Sequence, residues 1–295
     1  MNYKILICPD CSSKLAESDN WLLCSNCGTK YKIRNGIPIL LPANHLENKF
    51  EMNYHEHYNV DGNYYDYFKE RQEKVSAHDE NRLRDYVLSL VPKNVKSILD
   101  IGSGGAWVAK SFMKKNVEVC SFDLTYRNVE KAIKTYTYDS HYGIVGDALN
   151  PPFEKNSFDC IIASEVIEHT VEPAVFIQKL IPLLKPGGVL IISTPYKEII
   201  QYSICIHCNQ PTPRNSHLHS FDEKILGELV MDDGIIFKYR AFGNKALVIL
   251  RTYVILQFLP FSLWKIIDSI ANIFINRRYH IVCTYSLKND SENKK

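Results

Sequence analysis

The segment Ser97-Ile-Leu-Asp-Ile-Gly-Ser-Gly-Gly-Ala-Trp107 joins an apolar run to a glycine-rich turn. The run predicts a buried strand that ends close to Asp100, and residues 108–115 predict a helix. A strand, a glycine turn and a helix in this order bring backbone N–H groups close to a nucleotide-like ligand at the helix N-terminus. Because many α/β proteins share such a turn, this segment alone does not identify the ligand.

Strand-like and helical runs alternate from residue 95 onward, which predicts a doubly wound, mainly parallel sheet. The predicted strands cover residues 97–101, 117–122, 142–145, 158–163, 189–194, 235–241 and 279–287. Ligands of such sheets lie beyond the carboxyl ends of the strands. Four acidic residues follow predicted strand ends, so we expect them to face one crevice: Asp100, Asp123, Asp147 and Glu165.

Two of these carboxylates have spacings that favour a nucleoside ligand. Asp123 lies about twenty residues after the glycine turn, where an acidic side chain can accept both hydroxyl hydrogens of a ribose. Asp147 with Ala148 can present a carboxylate and a backbone N–H to an adenine edge. The alternative for each aspartate is an ordinary cap or turn residue.

The N-terminal residues contain two C-x2-C pairs, Cys8/Cys11 and Cys24/Cys27, separated by twelve residues. Four thiolates from two tight turns can surround one zinc ion tetrahedrally, and four protein ligands indicate a structural role. A piece of about 40 residues has too small a core to fold alone, so the metal would supply much of its stability. Chance spacing or a redox pair are the alternatives.

Five segments in this order resemble the successive motifs of class I S-adenosylmethionine (SAM)-dependent methyltransferases, and the resemblance covers about residues 80–200. They are Leu99–Ala106, Phe122-Asp123, Gly146-Asp147-Ala148, Phe158–His169 and Leu184–Thr194. The ubiquinone/menaquinone-methyltransferase-like group is the most similar, although Ala106 stands where that family often has a third glycine. Residues 5–43 resemble the small zinc-ribbon proteins that activate methyltransferases or are fused to them.

The resemblance implies a Rossmann-like, seven-stranded sheet with one antiparallel strand, a SAM site and candidate catalytic histidines. The implied SAM-binding residues are Asp100, Gly102, Ser103, Gly104, Asp123, Leu124, Asp147, Ala148, Ser164 and Glu165. The candidate bases are His169, His217 and His219, and for His169 the alternative is a histidine that only holds its loop. SAM supplies the electrophilic methyl group, so the protein mainly positions the acceptor and, where the reaction needs it, removes its proton.

Residues 200–222 contain a second set of metal-ligand residue types: Cys205, Cys208, His217 and His219. Two cysteines and two histidines at this spacing are compatible with a second tetrahedral zinc ion. The alternative is a loop that covers the acceptor site, with histidines that contact the acceptor or act as base.

The remaining segments divide the chain further. We expect a zinc ribbon at 1–43, an aromatic linker or lid at 44–75, a methyltransferase domain at 76–288 and a disordered tail at 289–295. Between strands six and seven, residues 245–278 predict a helical insertion of two apolar helices broken at Pro260. The insertion packs as a subdomain, or residues 246–275 lie in a membrane interface with Trp264 close to the headgroups and receive a lipid-like acceptor.

The composition is that of an ordinary globular protein, with 45% hydrophobic residues and a net charge of +2, so nothing global indicates a nucleic-acid partner. The first residues lack the apolar core of a signal peptide, so we expect a cytoplasmic protein, or one peripheral to the inner membrane face. The first hypothesis is methyl transfer to a small or lipid-linked acceptor, with O-methylation favoured over C or N. The alternatives are an RNA methyltransferase and a non-catalytic SAM-binding scaffold.

Overall fold

A computed structural model describes residues 3–43, 53–230 and 232–288. The predicted tail at 289–295 and residues 44–52 of the predicted linker lie outside the described residues.

The described chain forms thirteen strands and nine α-helices. The strands are β1 Leu15–Ser18, β2 Trp21–Cys24, β3 Lys30–Arg34, β4 Ile37–Leu40, β5 Ser97–Ile101, β6 Glu118–Asp123, β7 His141–Gly146, β8 Phe158–Ser164, β9 Leu184–Pro195, β10 Tyr202–Ile204, β11 Pro211–Pro213, β12 Ile235–Phe242 and β13 His280–Leu287. The helices are α1 Tyr54–Tyr64, α2 Lys74–Leu90, α3 Trp107–Phe112, α4 Tyr126–Thr135, α5 Pro173–Leu180, α6 Glu223–Glu228, α7 Lys245–Ile249, α8 Tyr253–Leu256 and α9 Phe261–Phe274.

Seven strands form the predicted doubly wound sheet in the order β7-β6-β5-β8-β9-β13-β12. Neighbouring strands from β7 to β9 are parallel, and β13 is antiparallel to both β9 and β12. The central strand β5 is buried at every position, as its apolar sequence predicted. The predicted fold class is therefore confirmed, including the single antiparallel strand.

The N-terminal ribbon continues this sheet rather than standing apart from it. Strand β4 runs parallel to β7, with Ile39 opposite Val145 and Leu40 opposite Gly146. Strands β1 to β3 follow as an antiparallel meander, so the complete sheet has eleven strands in the described part of the chain. Leu40 is fully buried, so its burial and the pairing with β7 fix the ribbon to the main sheet.

The helical insertion joins β12 to β13 and contains three helices, α7, α8 and α9, where the sequence predicted two. The first predicted helix is interrupted at Arg251, which has a left-handed φ of 54°. Trp264 was predicted to lie close to membrane headgroups if the insertion bound a membrane. That position is wrong, because Trp264 is only 5% exposed and packs on Phe242 and Phe261. Of the helices in the described ranges, none is long and apolar enough to cross a bilayer.

Candidate active site at the carboxyl edge of the sheet

The glycine turn after β5 has the open backbone that its sequence predicted. Gly102 and Gly104 both have positive φ, at 63° and 43°. A Cβ on Gly102 would lie 2.6 Å from a Val166 side-chain carbon, so only glycine fits there. Ala106, the residue that departs from the family pattern, also has a left-handed φ of 52° immediately before α3. Ala106 therefore has a conformation that glycine adopts more readily, although it carries a methyl group.

Three buried side-chain oxygens around this turn lack hydrogen-bond partners among the described residues: Asp100 Oδ2, Ser103 Oγ and Glu165 Oε1. Burial raises the pKa of Asp100 well above its usual range, and the nearby Asp123 raises it further. Burial also raises the pKa of Glu165, which follows the adjacent strand β8 with a φ of 56°. Because unpaired buried carboxylates are costly, these oxygens indicate a site for a polar, cationic ligand. SAM carries an ammonium and a sulfonium group and fits this donor and acceptor set.

The two predicted nucleoside ligands are held by the turns that follow their strands. Asp123 accepts hydrogen bonds from the backbone N–H groups of Gly104 and Thr125, at 3.0 and 2.8 Å. Asp147 is bonded by the hydroxyl of Tyr54 and lies 3.1 Å from His55 Nε2. Burial acts to raise the pKa of Asp147, but the hydrogen bonds of His55 and Tyr54 hold it below its usual range. Both carboxylates therefore lie at the predicted edge of the sheet.

The other predicted SAM-binding residues lie at the same edge. Ser164 ends β8 and its hydroxyl lies 2.8 Å from that of Ser193. Leu124 directly follows β6, and Ala148 follows Asp147 after the end of β7. Both side chains are half-buried against the main core.

Helix α1 covers this edge of the sheet. From the sequence, the segment that contains α1 was expected to be either a linker or a lid. The Tyr58 carbonyl accepts a hydrogen bond from Thr125 Oγ1 at 2.8 Å, and the Tyr58 hydroxyl bonds the His169 carbonyl. A Cβ on Gly62 would lie 2.6 Å from Thr125 Oγ1, so glycine allows the helix to approach. After the helix, Tyr67 lies over the glycine turn. The segment 54–67 therefore contacts each predicted SAM-binding motif of β5, β6 and β7.

The structure brings His169 and His217 together at one end of this covered edge. Their ring centroids are 4.9 Å apart. His169 Nδ1 lies 3.2 Å from the Ser216 carbonyl oxygen, and since a carbonyl only accepts, this nitrogen donates. His169 Nε2 is then the nitrogen that carries a lone pair. Burial and, to a smaller extent, the nearby His217 lower the pKa of His169 to about 4, so the ring is neutral at physiological pH.

Two carboxylates support this histidine pair and were not among the predicted site residues. His217 Nδ1 is 2.5 Å from Glu198, and Glu168 accepts a hydrogen bond from Thr194 Oγ1 at 3.0 Å. Glu168 is buried and its pKa is raised well above the usual range by burial and by Glu165. Glu168, His169 and His217 each place one ligand atom within 4.8 Å of the others, so they could hold a cation. The Glu-His pair after β8 was visible in the sequence, but Glu198 becomes a neighbour only through folding.

The predicted second zinc set is not assembled in the structure. Cys205 and Cys208 lie in the turn between β10 and β11, whereas His217 bonds Glu198. His219 lies beside Phe221, and its backbone N–H bonds the Glu168 carbonyl. Among the described residues, the groups of three or more metal-ligand side chains are Glu168/His169/His217 and the N-terminal cysteines. The β10–β11 hairpin separates the two halves of the predicted set, because it extends the cysteines to its tip.

The four N-terminal cysteines are brought together as predicted. Their sulfur atoms all lie within 4.8 Å of one another, with 3.7 Å between Cys8 and Cys27 and 3.4 Å between Cys11 and Cys24. Sulfur atoms on a tetrahedral zinc ion, each about 2.3 Å from the metal, are roughly 3.8 Å apart. All four are free thiols, so the cluster fits one tetrahedral ion.

Comparison with known proteins agrees with the geometry. A family model described as a methyltransferase domain matches residues 72–234. The ubiquinone biosynthesis O-methyltransferase of Paracidovorax citrulli is 30% identical over 122 residues, which cover 40% of this chain and 51% of that protein. The enzyme of the same name from Rickettsia canadensis is 27% identical over 206 residues, covering 64% and 82%. The chain thus spans about half the length of the first of these relatives.

Solved structures show the same fold at low identity. The PH0226 protein of Pyrococcus horikoshii aligns with a TM-score of 0.51 at 19% identity, over 79% of this chain and 99% of that one. A chain from a complex between the Haloferax volcanii Trm112 methyltransferase activator and a methyltransferase aligns with a TM-score of 0.51 at 14% identity, over 83% and 100%. Because the family match spans more than half of the chain and the strand order and motifs agree with it, this chain belongs to the methyltransferase domain family, within the class I SAM-dependent methyltransferases.

Proposed function

We propose that this chain transfers a methyl group from SAM to a hydroxyl of a small or lipid-linked acceptor. The main observation is the set of buried, unpartnered oxygens at the glycine turn, two of them on the carboxylates Asp100 and Glu165. A cationic ligand stabilises the ionised form of such carboxylates. SAM supplies the electrophilic methyl group when bound. The two relatives reported above are both named O-methyltransferases, which supports an oxygen atom as the acceptor.

In this proposal the nucleoside part of SAM is held by the carboxylates that follow β6 and β7. Asp123 takes the ribose hydroxyls and Asp147 takes the adenine edge. Tyr54 and His55 already bond Asp147 from α1, so α1 closes over the bound nucleoside and excludes water. A covered site strengthens the electrostatic interactions within it.

His169 is the proposed general base for the acceptor hydroxyl. Its Nδ1–H is engaged by the Ser216 carbonyl, which leaves Nε2 to accept a proton. Glu198 bonds His217, which packs edge-to-face on His169 and keeps the ring in place. The four N-terminal thiols would hold a zinc ion that maintains the ribbon and takes no part in the reaction.

The lipid-linked class of acceptor is supported by the surface of the insertion. Helices α7 to α9 follow β12 and precede β13. Phe242 at the end of β12 pairs with His280, and His280 pairs with Pro195 at the carboxyl end of β9. The insertion therefore begins and ends at the carboxyl ends of the parallel strands, where the proposed SAM site also lies. It exposes large apolar side chains, including Ile249, Phe258 and Phe274 at 79, 81 and 82%. Large apolar side chains exposed in this number favour contact with a lipid interface or another protein.

The first experiment measures SAM binding by calorimetry and methyl transfer from labelled SAM to a fractionated cell extract. We expect Asp123→Ala to weaken SAM binding roughly 100-fold, since it removes hydrogen bonds between a charged group and the ribose worth about 3 kcal/mol. Asp139→Asn, which changes an exposed aspartate in the turn before β7, is the control and keeps full affinity. Label in the lipid or small-molecule fraction supports the proposal. No heat with SAM, or label only in RNA, contradicts it.

A second experiment tests the base through pH. With the pKa of His169 lowered to about 4, the neutral base persists well below pH 6.5, so the acid limb of kcat/KM falls close to pH 4. His169→Gln should lower kcat by roughly 100-fold or more and remove that limb. His207→Gln, which changes an exposed histidine, is the control. An acid limb centred at pH 6.5, or an unaltered rate in His169→Gln, excludes His169 as the base.

A further inference from the structure

The turn at Cys205–Cys208 has the same backbone hydrogen bonds as the two turns of the N-terminal cluster. In each, the first cysteine donates its N–H to the carbonyl five residues later and accepts from the N–H four residues later. The donations run from Cys8 to Ser13, from Cys24 to Thr29 and from Cys205 to Gln210, at 2.8, 2.9 and 2.9 Å. The returning bonds run from Ser12, Gly28 and Asn209, at 2.8, 3.1 and 2.9 Å.

The three turns also share one backbone conformation. The residue after the second cysteine has a left-handed φ in each: 57° at Ser12, 74° at Gly28 and 57° at Asn209. Left-handed φ is uncommon for residues other than glycine, so its recurrence at the same position is a specific likeness. Two of these turns already bring four sulfurs together within 4.8 Å. The third turn therefore has the backbone of a two-cysteine metal ligand.

The third turn supplies two ligands where a tetrahedral zinc ion requires four. In the described part of the chain, Cys205 and Cys208 belong to no group of three metal-ligand side chains. Both are free thiols, with Cys208 exposed. His217, which the sequence suggested as a further ligand, is engaged by Glu198 at 2.5 Å. A zinc ion at this turn would therefore need two further ligands from outside the described residues of the chain.

We propose that Cys205 and Cys208 form half of a zinc site that a second copy of this chain completes with the same two cysteines. A twofold axis through the ion would place four thiolates around it, as the two N-terminal turns do within one chain. The apolar side chains next to the cysteines are exposed: Ile206 at 99%, Ile204 at 63% and Tyr202 at 59%. They would be buried against the same residues of the second copy, because a twofold contact joins identical surfaces.

The chemistry requires no oxidant. Four thiols and one Zn²⁺ give a tetrathiolate complex and release four protons, so binding strengthens as pH rises. The contact would also fix the segment 214–217, because the Arg214 N–H bonds the Gln201 carbonyl across the base of the hairpin, and Ser216 contacts His169. This inference does not depend on the proposed acceptor or on methyl transfer.

The test uses the full chain, purified with zinc and a phosphine reductant, and measures zinc content and mass by light scattering. We expect a dimer with about 1.5 zinc ions per chain, one from the N-terminal cluster and half from the shared site. Cys205→Ser/Cys208→Ser should be a monomer with about 1.0. Ser203→Ala, an exposed change on the same hairpin, should match the unaltered protein. Cobalt in place of zinc should lose one third of its thiolate absorption in the double variant.

Three results would overturn the proposal. An unaltered monomer with two zinc ions per chain means that the site is completed within one chain. Equal zinc content in the unaltered and double-variant proteins means that the turn binds no metal. A dimer that survives the double substitution, or that resists chelators but dissociates with reductant, is held by other contacts or by a disulfide. SAM binding of the double variant, measured in parallel, separates these outcomes from failure of the proposed enzymatic function.

Discussion

The ribbon adjoins β7 on one side of the main sheet, and the helical insertion joins β12 to β13 on the opposite side. The two segments differ in how far they bury their apolar side chains. The ribbon exposes Trp21 at 43% but buries other apolar side chains, including Leu22 and Leu40, against the main core, and it gathers four thiols. The insertion buries Trp264 and Leu256 but leaves more than half of the surface of Ile249, Phe258 and Phe274 exposed. A segment that exposes this much apolar surface is not optimised for folding alone. We therefore propose a structural role for the ribbon and a binding surface on the insertion.

The largest effect that would test this contrast is loss of the ribbon metal. Cys24→Ser should remove about one zinc ion per chain, unfold strands β1 to β3 and weaken the β4–β7 pairing, because metal binding supplies most of the folding free energy of so small a unit. Since Asp147 follows β7, SAM affinity should also fall. Zinc analysis, limited proteolysis and calorimetry measure the three effects. Ser25→Ala is the control, and a Cys24→Ser protein with an intact ribbon would show that the metal is not what holds it.

Substitutions of exposed aromatic residues in the insertion should weaken membrane binding and leave thermal stability nearly unchanged. Phe258→Ser/Phe274→Ser should weaken binding to anionic phospholipid vesicles, measured by co-sedimentation, by at least roughly 100-fold, since each aromatic ring buried in the interface contributes about 1.5–3 kcal/mol. Thermal stability should change little, because both rings are already exposed. The matched control is Tyr64→Ser/Tyr65→Ser, a pair of exposed aromatic residues outside the insertion. Equal vesicle binding by both double variants would remove the contrast between ribbon and insertion.

A smaller effect should come from the buried acid that anchors the insertion. Asp268 on α9 accepts the Gly243 N–H at 3.2 Å, and burial raises its pKa from 3.8 to about 6. A raised carboxyl pKa contributes stability that is complete below pH 3.8 and is lost as pH rises through about 6, with a total of about 3 kcal/mol. Urea unfolding of Asp268→Asn should therefore show the variant gaining stability relative to the unaltered protein between pH 4 and 7.

The control for this titration is Asp139→Asn, which removes an exposed carboxyl group elsewhere. Other buried acids titrate in both proteins, so the difference between variant and unaltered protein is the quantity to follow. A difference that stays constant from pH 4 to 7 would show that Asp268 does not couple the insertion to pH.

Much of the central sheet was predictable because its signals are local. The apolar run at 97–101, the glycines of the following turn and the acids at strand ends each depend on a few neighbouring residues, and strands β5 to β9 lie where expected. The strand ends bring Asp100, Asp123, Asp147 and Glu165 to one edge, as the parallel topology required. The spacing of the N-terminal cysteines likewise indicated their cluster.

Pairs far apart in sequence were not predictable in this way. Strand β4 pairs with β7 and brings residue 39 opposite residue 145, and the local sequence of neither strand predicts this pairing. Three other features also depend on contacts between distant parts of the chain. They are the contact of Glu198 with His217, the position of the α1 segment over the glycine turn and the burial of Trp264. The hairpin β10–β11 moved Cys205 and Cys208 away from His217 although the spacing allowed a shared ion.

The sequence by itself determined the fold class, the glycine turn, the order of the SAM-binding motifs and the N-terminal cysteine cluster, because backbone conformation and ligand spacing follow from residues close together in the chain. Only the tertiary structure decided that the ribbon extends the main sheet, that α1 covers the active-site edge and which histidines meet, because these depend on the packing of distant segments against one another.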